Sequence, residues 1–231
     1  MIFFDLDGTL IDHKQAEILG VHGFLHEYKE YFNFKEDLFY EHWCKISNKH
    51  FARFLNRDIS FLQQQIERIK DVFILSGIKL SDNEAAKKFK VYLELYEENL
   101  MPYDDVLPCL NSLKDKRLGI ISNGALKQQL LKLSKIGNEI CFDPIIVAEE
   151  VGVAKPNIDI FRIACIKANV QAKDCIYVGD DFKTDILSCS TADMNGIWLN
   201  RYNQESINST TKMIQDLRML KNYLQINSIE L

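Results

Sequence analysis

Met1-Ile-Phe-Phe-Asp5-Leu6-Asp7-Gly8-Thr9-Leu10 opens the chain, and the reading of the other elements follows from this stretch. Ile2 to Phe4 is an apolar run of the length of a short buried strand. It ends in two carboxylates two residues apart, followed by Gly-Thr. On an extended backbone Asp5 and Asp7 project to the same side. A bend at the end of the strand would turn one carboxylate toward a substrate and leave the other beside it as an acid or base. Gly8 permits the sharp turn that such a bend needs. Ligands of open α/β sheets bind at the carboxyl ends of the strands, so this stretch predicts a strand and a site together.

The elements that follow alternate. After Tyr103 a helix is expected over about Val106 to Lys116, then a strand at Leu118–Ser122 and a helix over Leu126 to Ile136. Pro144–Val147 reads as a third strand, Ile158–Ala168 as a helix, Ile176–Val178 as a strand, Thr184–Ser190 as a short helix and Ile197–Leu199 as a strand. Thr210–Leu224 reads as a final amphipathic helix. Such alternation implies a parallel sheet covered on both faces. More than a hundred residues separate the first strand from the second, far more than a βα unit needs. From His13 to about Leu100 the apolar residues recur at helical spacing: Phe24, Leu25 and Tyr28, then Phe61, Leu62, Ile66 and Ile69, then Phe89, Tyr92, Leu93 and Tyr96. Ser81-Asp82-Asn83-Glu84 marks a helix start. The expectation is an α/β, Rossmann-like core of residues 1–12 and 103–231, with an all-helical insert of about four helices over residues 13–102.

Three later stretches end apolar runs in chemistry-bearing residues. Leu118 to Ile121 leads into Ser122-Asn123-Gly124, where Ser122 is either a functional hydroxyl or the cap of the helix that begins near Leu126. Val153-Ala154-Lys155-Pro156 places Lys155 just before a helix, since Pro156 suits a first helical turn; an ordinary surface lysine would look the same. Cys175 to Val178 leads into Gly179-Asp180-Asp181-Phe-Lys-Thr-Asp185. These acids are either ligands for a hard cation, which takes oxygen donors, or a helix start matched to its dipole.

Taken in order, the four stretches closely resemble the motifs of the haloacid dehalogenase (HAD) superfamily, most of whose members are Mg2+-dependent phosphatases. An insert placed straight after the first strand resembles the C1 cap class. The stretch from Trp43 to Ile69 is similar to caps of the pyrimidine 5′-nucleotidase and N-acylneuraminate-9-phosphatase branch. The resemblance implies Asp5 as the nucleophile and Asp7 as the acid/base. Ser122 and Lys155 would hold phosphoryl oxygens, helped by backbone N–H groups near Leu6, Asp7 and Asn123. Thr9, Asn123 and Gly124 would contribute to substrate binding, with Thr9 orienting Asp7. Mg2+ would sit among Asp5, the backbone carbonyl of Asp7, Asp180 and Asp185. Asp181 stands where relatives often carry a neutral polar residue, which leaves the choice of metal-bound acid open, with Asp180 favoured. The implied reaction is phosphomonoester hydrolysis through an aspartyl-phosphate, with the cap closing to exclude water. Nucleoside 5′-monophosphates are the first expected substrates and sugar phosphates the second. A phosphoglucomutase-type transferase shares the same motifs. A dehalogenase needs neither Asp7 nor the Asp180 cluster, and a non-catalytic binding protein would not need the intact set.

Bulk properties narrow the setting. The 231 residues carry a formal net charge of -5 and 47% hydrophobic content, which argues against electrostatic capture of nucleic acid or an anionic membrane. No apolar run reaches the length of a membrane span, and Asp5 and Asp7 interrupt the only apolar stretch that a leader peptide would use. The six cysteines are widely spaced with no Cys-x-x-Cys pair, as in reduced, cytoplasmic proteins. The expected partner is a small phosphate ester. His22 and His26, four apart, read as polar cap residues rather than zinc ligands, and the aromatics Phe32, Phe34, Phe39, Tyr40, Trp43, Phe51 and Phe54 as cap core.

Overall fold

The computed structural model describes residues 1–137, 139–205 and 212–226. The chain divides into two compact units, one of Met1–His13 with Met101–Leu231 and one of Lys14–Leu100. The first is built on a six-stranded sheet: β1 (Ile2–Phe4), β2 (Leu118–Ser122), β3 (Ile145–Val147), β4 (Ile176–Gly179), β5 (Asn195–Leu199) and β6 (Met213–Ile214). Every pairing is parallel, in the order β3-β2-β1-β4-β5-β6. β1 therefore lies inside the sheet, between β2 and β4, with Phe4 level with Ile120 and Val178. Ile2, Phe3 and Phe4 are wholly buried, as a strand covered on both faces requires. This register brings Asp5, Ser122 and Asp180 to the carboxyl edge, where the strand order reverses and open α/β sheets bind their ligands.

Ten α-helices are described: α1 (His13–Glu27), α2 (Glu36–Leu55), α3 (Phe61–Ile74), α4 (Asp82–Glu98), α5 (Val106–Ser112), α6 (Leu126–Ile136), α7 (Ala148–Val151), α8 (Asp159–Ala168), α9 (Ser188–Thr191) and α10 (Leu220–Ile226). α1 to α4 form the helical unit. α4 starts where Ser81-Asp82-Asn83-Glu84 marks a helix start, and does so in a capping box: the Ser81 backbone N–H donates to Glu84 Oε2 at 2.8 Å, and Glu84 N–H donates back to Ser81 Oγ at 3.4 Å. Trp43, Phe24, Phe39 and Phe73 are buried in this unit, and Trp43 lies 4.4 Å from Tyr92, centroid to centroid. Phe32, Phe39 and Trp43 are thus core residues. His22 faces Glu36 at 3.6 Å. His50 is buried against Asp71, its Nε2 2.8 Å from the carboxylate.

Four expectations are corrected. The expected C-terminal helix over Thr210–Leu224 is broken up, and its first two residues lie outside the described residues. Met213 and Ile214 form an edge strand because Trp198 N–H and Asn200 N–H need acceptors, which Lys212 O and Ile214 O supply at 2.8 Å each; helix begins only at Leu220. The helix near Thr184 is a π-helical turn over Phe182–Leu187 that runs into α9. α5 stops at Ser112, short of Lys116, and the Ser112 hydroxyl donates to the carbonyl of Cys109 at 2.7 Å. Pro156 lies in the turn before α8 rather than in its first turn.

The sheet packs on α8 through Phe161, which meets the Tyr177 ring of β4 edge-on at 5.1 Å. Both are wholly buried. Phe161→Ala should cost about 3–5 kcal/mol of stability, the usual loss for a deleted core aromatic, read as a lower urea midpoint at unchanged slope.

Candidate active site

Gly8 sets the turn after β1. It adopts φ +82°, and a Cβ there would fall inside the carboxylate of Asp180. Gly8 N–H donates to Ile11 O at 2.9 Å, and the N–H groups of Leu10 and Ile11 both donate to Leu6 O at 2.9 Å. This tight loop turns Asp5 and Asp7 into different surroundings. The bend expected from the sequence is there, but each carboxylate has its own set of partners.

Asp5 is buried beside Lys155, whose Nζ donates to Asp5 Oδ1 at 2.5 Å, to Asp185 Oδ1 at 2.7 Å and to the Tyr177 hydroxyl at 2.9 Å. Tyr177 Oη–H in turn points at Asp185 Oδ1 (3.1 Å) and Ile121 O (3.1 Å). Asp185 Oδ2 accepts from Asp181 N–H at 3.2 Å. Burial raises Asp5 well above the usual carboxylate range; Lys155 opposes this, while Asp185 and Asp180 reinforce it. Asp180 is pushed up to about 7, first by burial and then by the charge of Asp185. Burial would lower Lys155, but Asp185 and Asp5 outweigh it and hold the ammonium well above its ordinary value. Asp5, Asp180 and Asp185 each bring a carboxylate oxygen within 4.8 Å of the others. Three carboxylates face one ammonium, and the donor set is oxygen alone; both features fit a hard divalent cation. Asp181 is not part of this group. Its carboxylate caps the π-helical turn by accepting from Thr184 N–H at 2.6 Å.

Asp7 has a separate environment. Lys132 Nζ of α6 donates to Asp7 Oδ2 at 2.7 Å, and Gln129 Nε2 reaches the same oxygen at 3.2 Å. Burial favours the protonated acid, yet Lys132, followed by His13 and Gln129, outweighs it and holds Asp7 below its usual range. Thr9, expected to orient Asp7, instead donates to Asp180 Oδ1 at 3.3 Å from a wholly buried position. It therefore holds a carboxylate of the acidic cluster and presents no open face to a substrate.

Ser122 does not cap α6. That helix is capped in trans, by Glu149 Oε2 accepting from Leu126 N–H at 2.8 Å. Ser122 Oγ instead accepts from Gln129 Nε2 at 3.0 Å and points its own proton at Asn123 O, 3.2 Å away. The Asn123 side chain is spent on Lys155, accepting from its N–H at 2.8 Å and donating to its carbonyl at 3.0 Å. The side chain expected to help bind a substrate is therefore already engaged within the protein. Gly124 has φ +122° and lies against Gln129, where a Cβ would come within 2.9 Å of Nε2.

Gln129, Lys132, Tyr177, Asp105 and Arg201 escape a reading by motif. Gln129 and Lys132 share the buried face of α6 with Leu133 and Ile136, so their sequence signal is a pair of polar residues at core positions of an amphipathic helix. Arg201 has no local signal. It forks onto Asp105 (2.7 and 3.0 Å) and donates to the carbonyls of Thr9 at 2.8 Å and Gly8 at 3.3 Å, stacked 3.9 Å over the Tyr103 ring.

The family model for haloacid dehalogenase-like hydrolases matches residues 1–193, and the chain belongs to that family. It is 28% identical over 206 residues to pyrimidine 5′-nucleotidase YjjG of Escherichia coli, spanning 88% of this chain and 87% of that protein. N-acylneuraminate-9-phosphatase of Mus musculus is 28% identical over 222 residues, 90% of this chain and 86% of the relative. In fold, the HAD-hydrolase YfnB of Bacillus subtilis, whose crystal structure is bound to magnesium, matches with a TM-score of 0.81 at 21% identity over 96% of this chain and 97% of that chain. The chain is an enzyme of the phosphatase type within its family. Among the described residues, no helix is long and apolar enough to cross a membrane.

Arg201 ties the loop after β1 to a buried carboxylate. Arg201→Met should cost about 3 kcal/mol, the scale for orphaning one partner of a buried pair. It should also lower kcat by on the order of 10- to 100-fold through misplacement of Asp5 and Asp7, with thermal unfolding and steady-state kinetics as the two readouts.

Proposed function

We propose that the protein hydrolyses small phosphate monoesters through an aspartyl-phosphate on Asp5, with Mg2+ as cofactor. The observation that carries this reading is the separation of the two carboxylates of one loop. Asp5 lies with Lys155, Asp180 and Asp185, whereas Asp7 lies with Lys132 and Gln129. Two carboxylates with distinct partners suit two distinct roles.

Lys155 holds Oδ1 of Asp5, which assigns attack on phosphorus to Oδ2. Asp7 is ionised in the free protein, so the proton it uses arrives with a singly protonated phosphate ester. Asp7 gives that proton to the ester oxygen as it departs, and the phosphoryl group is left on Asp5. Asp7, now a carboxylate, takes a proton from water as that water attacks phosphorus, and Asp5 and phosphate are released. Splitting the displacement in this way replaces one difficult step with two easier ones, and general acid–base help of this kind is worth about 10²–10⁴-fold. Ser122 turns its proton from Asn123 O to a phosphoryl oxygen, beside the Asn123 N–H. Asp5 and Asp180 would hold a divalent cation, which would supply positive charge to offset the negative charge of the phosphoryl group. Asp185 already has both oxygens engaged by Lys155, Tyr177 and Asp181 N–H, so it acts as an anchor.

Nucleoside 5′-monophosphates are the substrates we favour. The likeness to the E. coli nucleotidase over most of both chains supports them; the sialic-acid phosphatase likeness keeps sugar phosphates second. Relative kcat/KM across nucleoside monophosphates, sugar phosphates and a phosphopeptide tests the choice, and preference for the phosphopeptide would overturn it.

Asp5→Asn should lower turnover of p-nitrophenyl phosphate by at least about 10³-fold with the fold retained. Near-normal turnover, with deamidation excluded by mass, would sink the mechanism.

Cation binding should depend on pH with a definite sign. Asp180 keeps its proton up to about pH 7 in the cation-free protein, so a cation must displace that proton below this value, and affinity should fall as pH drops through it. A raised carboxyl also costs stability once ionised, from its ordinary value upward to about 7. The gain in thermal stability on adding millimolar Mg2+ should thus be larger at about pH 8 than at about pH 5.5. An equal gain at both would contradict the assignment of Asp180.

A further inference from the structure

Asp7 is held by two residues of α6. Oδ2 accepts from Lys132 Nζ at 2.7 Å and from Gln129 Nε2 at 3.2 Å. Oδ1 lies equally near the ammonium, at 2.7 Å, so Lys132 spans both oxygens. Lys132 and Gln129 are themselves almost wholly buried, on one face of α6. Burying an ammonium costs several kcal/mol unless it is paired, yet this one is brought to the carboxylate of a solvent-edge loop. Gln129 is placed as closely. Its Nε2 has three acceptors around it, Asp7 Oδ2, Ser122 Oγ and Asn123 O, which fixes the amide orientation. That approach requires the bare backbone of Gly124, where a Cβ would intrude on Nε2.

We propose that Lys132 and Gln129 are positioning residues for Asp7: the ammonium spans both carboxylate oxygens and the amide binds Oδ2, which together fix the plane of the carboxyl that exchanges a proton with the leaving group and the attacking water. Gln129 also ties that orientation to Ser122, so acid/base and phosphoryl-binding groups move as one. The inference rests on the phosphatase reading and names the residues through which its acid/base acts.

The test compares Lys132→Met, Lys132→Arg and Gln129→Leu on an alkyl phosphate and on p-nitrophenyl phosphate, whose leaving group departs without a proton. In single-turnover measurements of Asp5 phosphorylation, Lys132→Met should lose about 10-fold or more in rate on the alkyl ester and less than about 3-fold on p-nitrophenyl phosphate, with KM little changed. Gln129→Leu should show the same split more weakly, and Lys132→Arg should recover part of the loss. In an Asp7→Asn background, Lys132→Met should add no further loss beyond about 2-fold, because residues that act through one another are not additive; a residue serving only the fold would cost activity there too. Equal losses on both esters, a rise in KM at constant kcat, or a full further loss in the Asp7→Asn background would each overturn the positioning role. Absence of wild-type turnover on either ester would overturn the phosphatase reading itself, and with it this inference.

Discussion

The ammonium of Lys155 is the constraint on which the rest of this site depends. Asp5, Asp185 and Asp180 converge from β1 and from the segment after β4, and each pays in desolvation for its burial. Lys155, bonded at once to Asp5, Asp185 and Tyr177, makes that crowding tolerable. It does not neutralise it, and Asp5 and Asp180 remain raised. The crowding of oxygen donors suits the cluster to a cation, whose binding would displace the protons that the raised groups hold.

Lys155 can serve in this way only because its backbone is held. Asn123 clamps both its N–H and its carbonyl, which couples the end of β2 to the turn before α8. Trp198 of β5 donates to Asp180 O at 2.9 Å, and Arg201 braces the carbonyls of Gly8 and Thr9. Each of these side chains thus rests on a backbone fixed from a neighbouring segment. Functional geometry needs such support, since a shift of about 1 Å at the reacting atoms can remove most of the rate.

The same pattern explains why Asp5 and Asp7 diverge. Their side chains leave one loop, but Asp5 turns toward β4 and the turn before α8, while Asp7 turns toward α6. The pairing of Asp7 with Lys132 replaces the pairing with Thr9 that the family resemblance implies, and Thr9 goes to Asp180 instead.

Local sequence determined the strands that end at Phe4, Ser122 and Gly179, the order of the motifs, the helix start at Ser81 and the four helices between His13 and Glu98. Each of these follows from the period of apolar residues or from a cap within a few positions, and such short-range rules are written along the chain. Asp5, Lys155, Asp180 and Asp185 were legible as a set only through the resemblance of their four stretches, taken in order, to one family's motifs. Tertiary structure alone decided the rest. Lys132 and Gln129 look like irregularities on an amphipathic helix until α6 packs beside the loop after β1. Arg201 and Asp105, far apart in sequence, meet only through the closed sheet. Met213 and Ile214 become a strand because β5 leaves backbone groups unpaired at its edge, a demand that outweighs local helical spacing. The division follows from range: periodicity and caps act over a few residues, whereas the pairing of buried charges and edge amides is settled only when distant segments pack together.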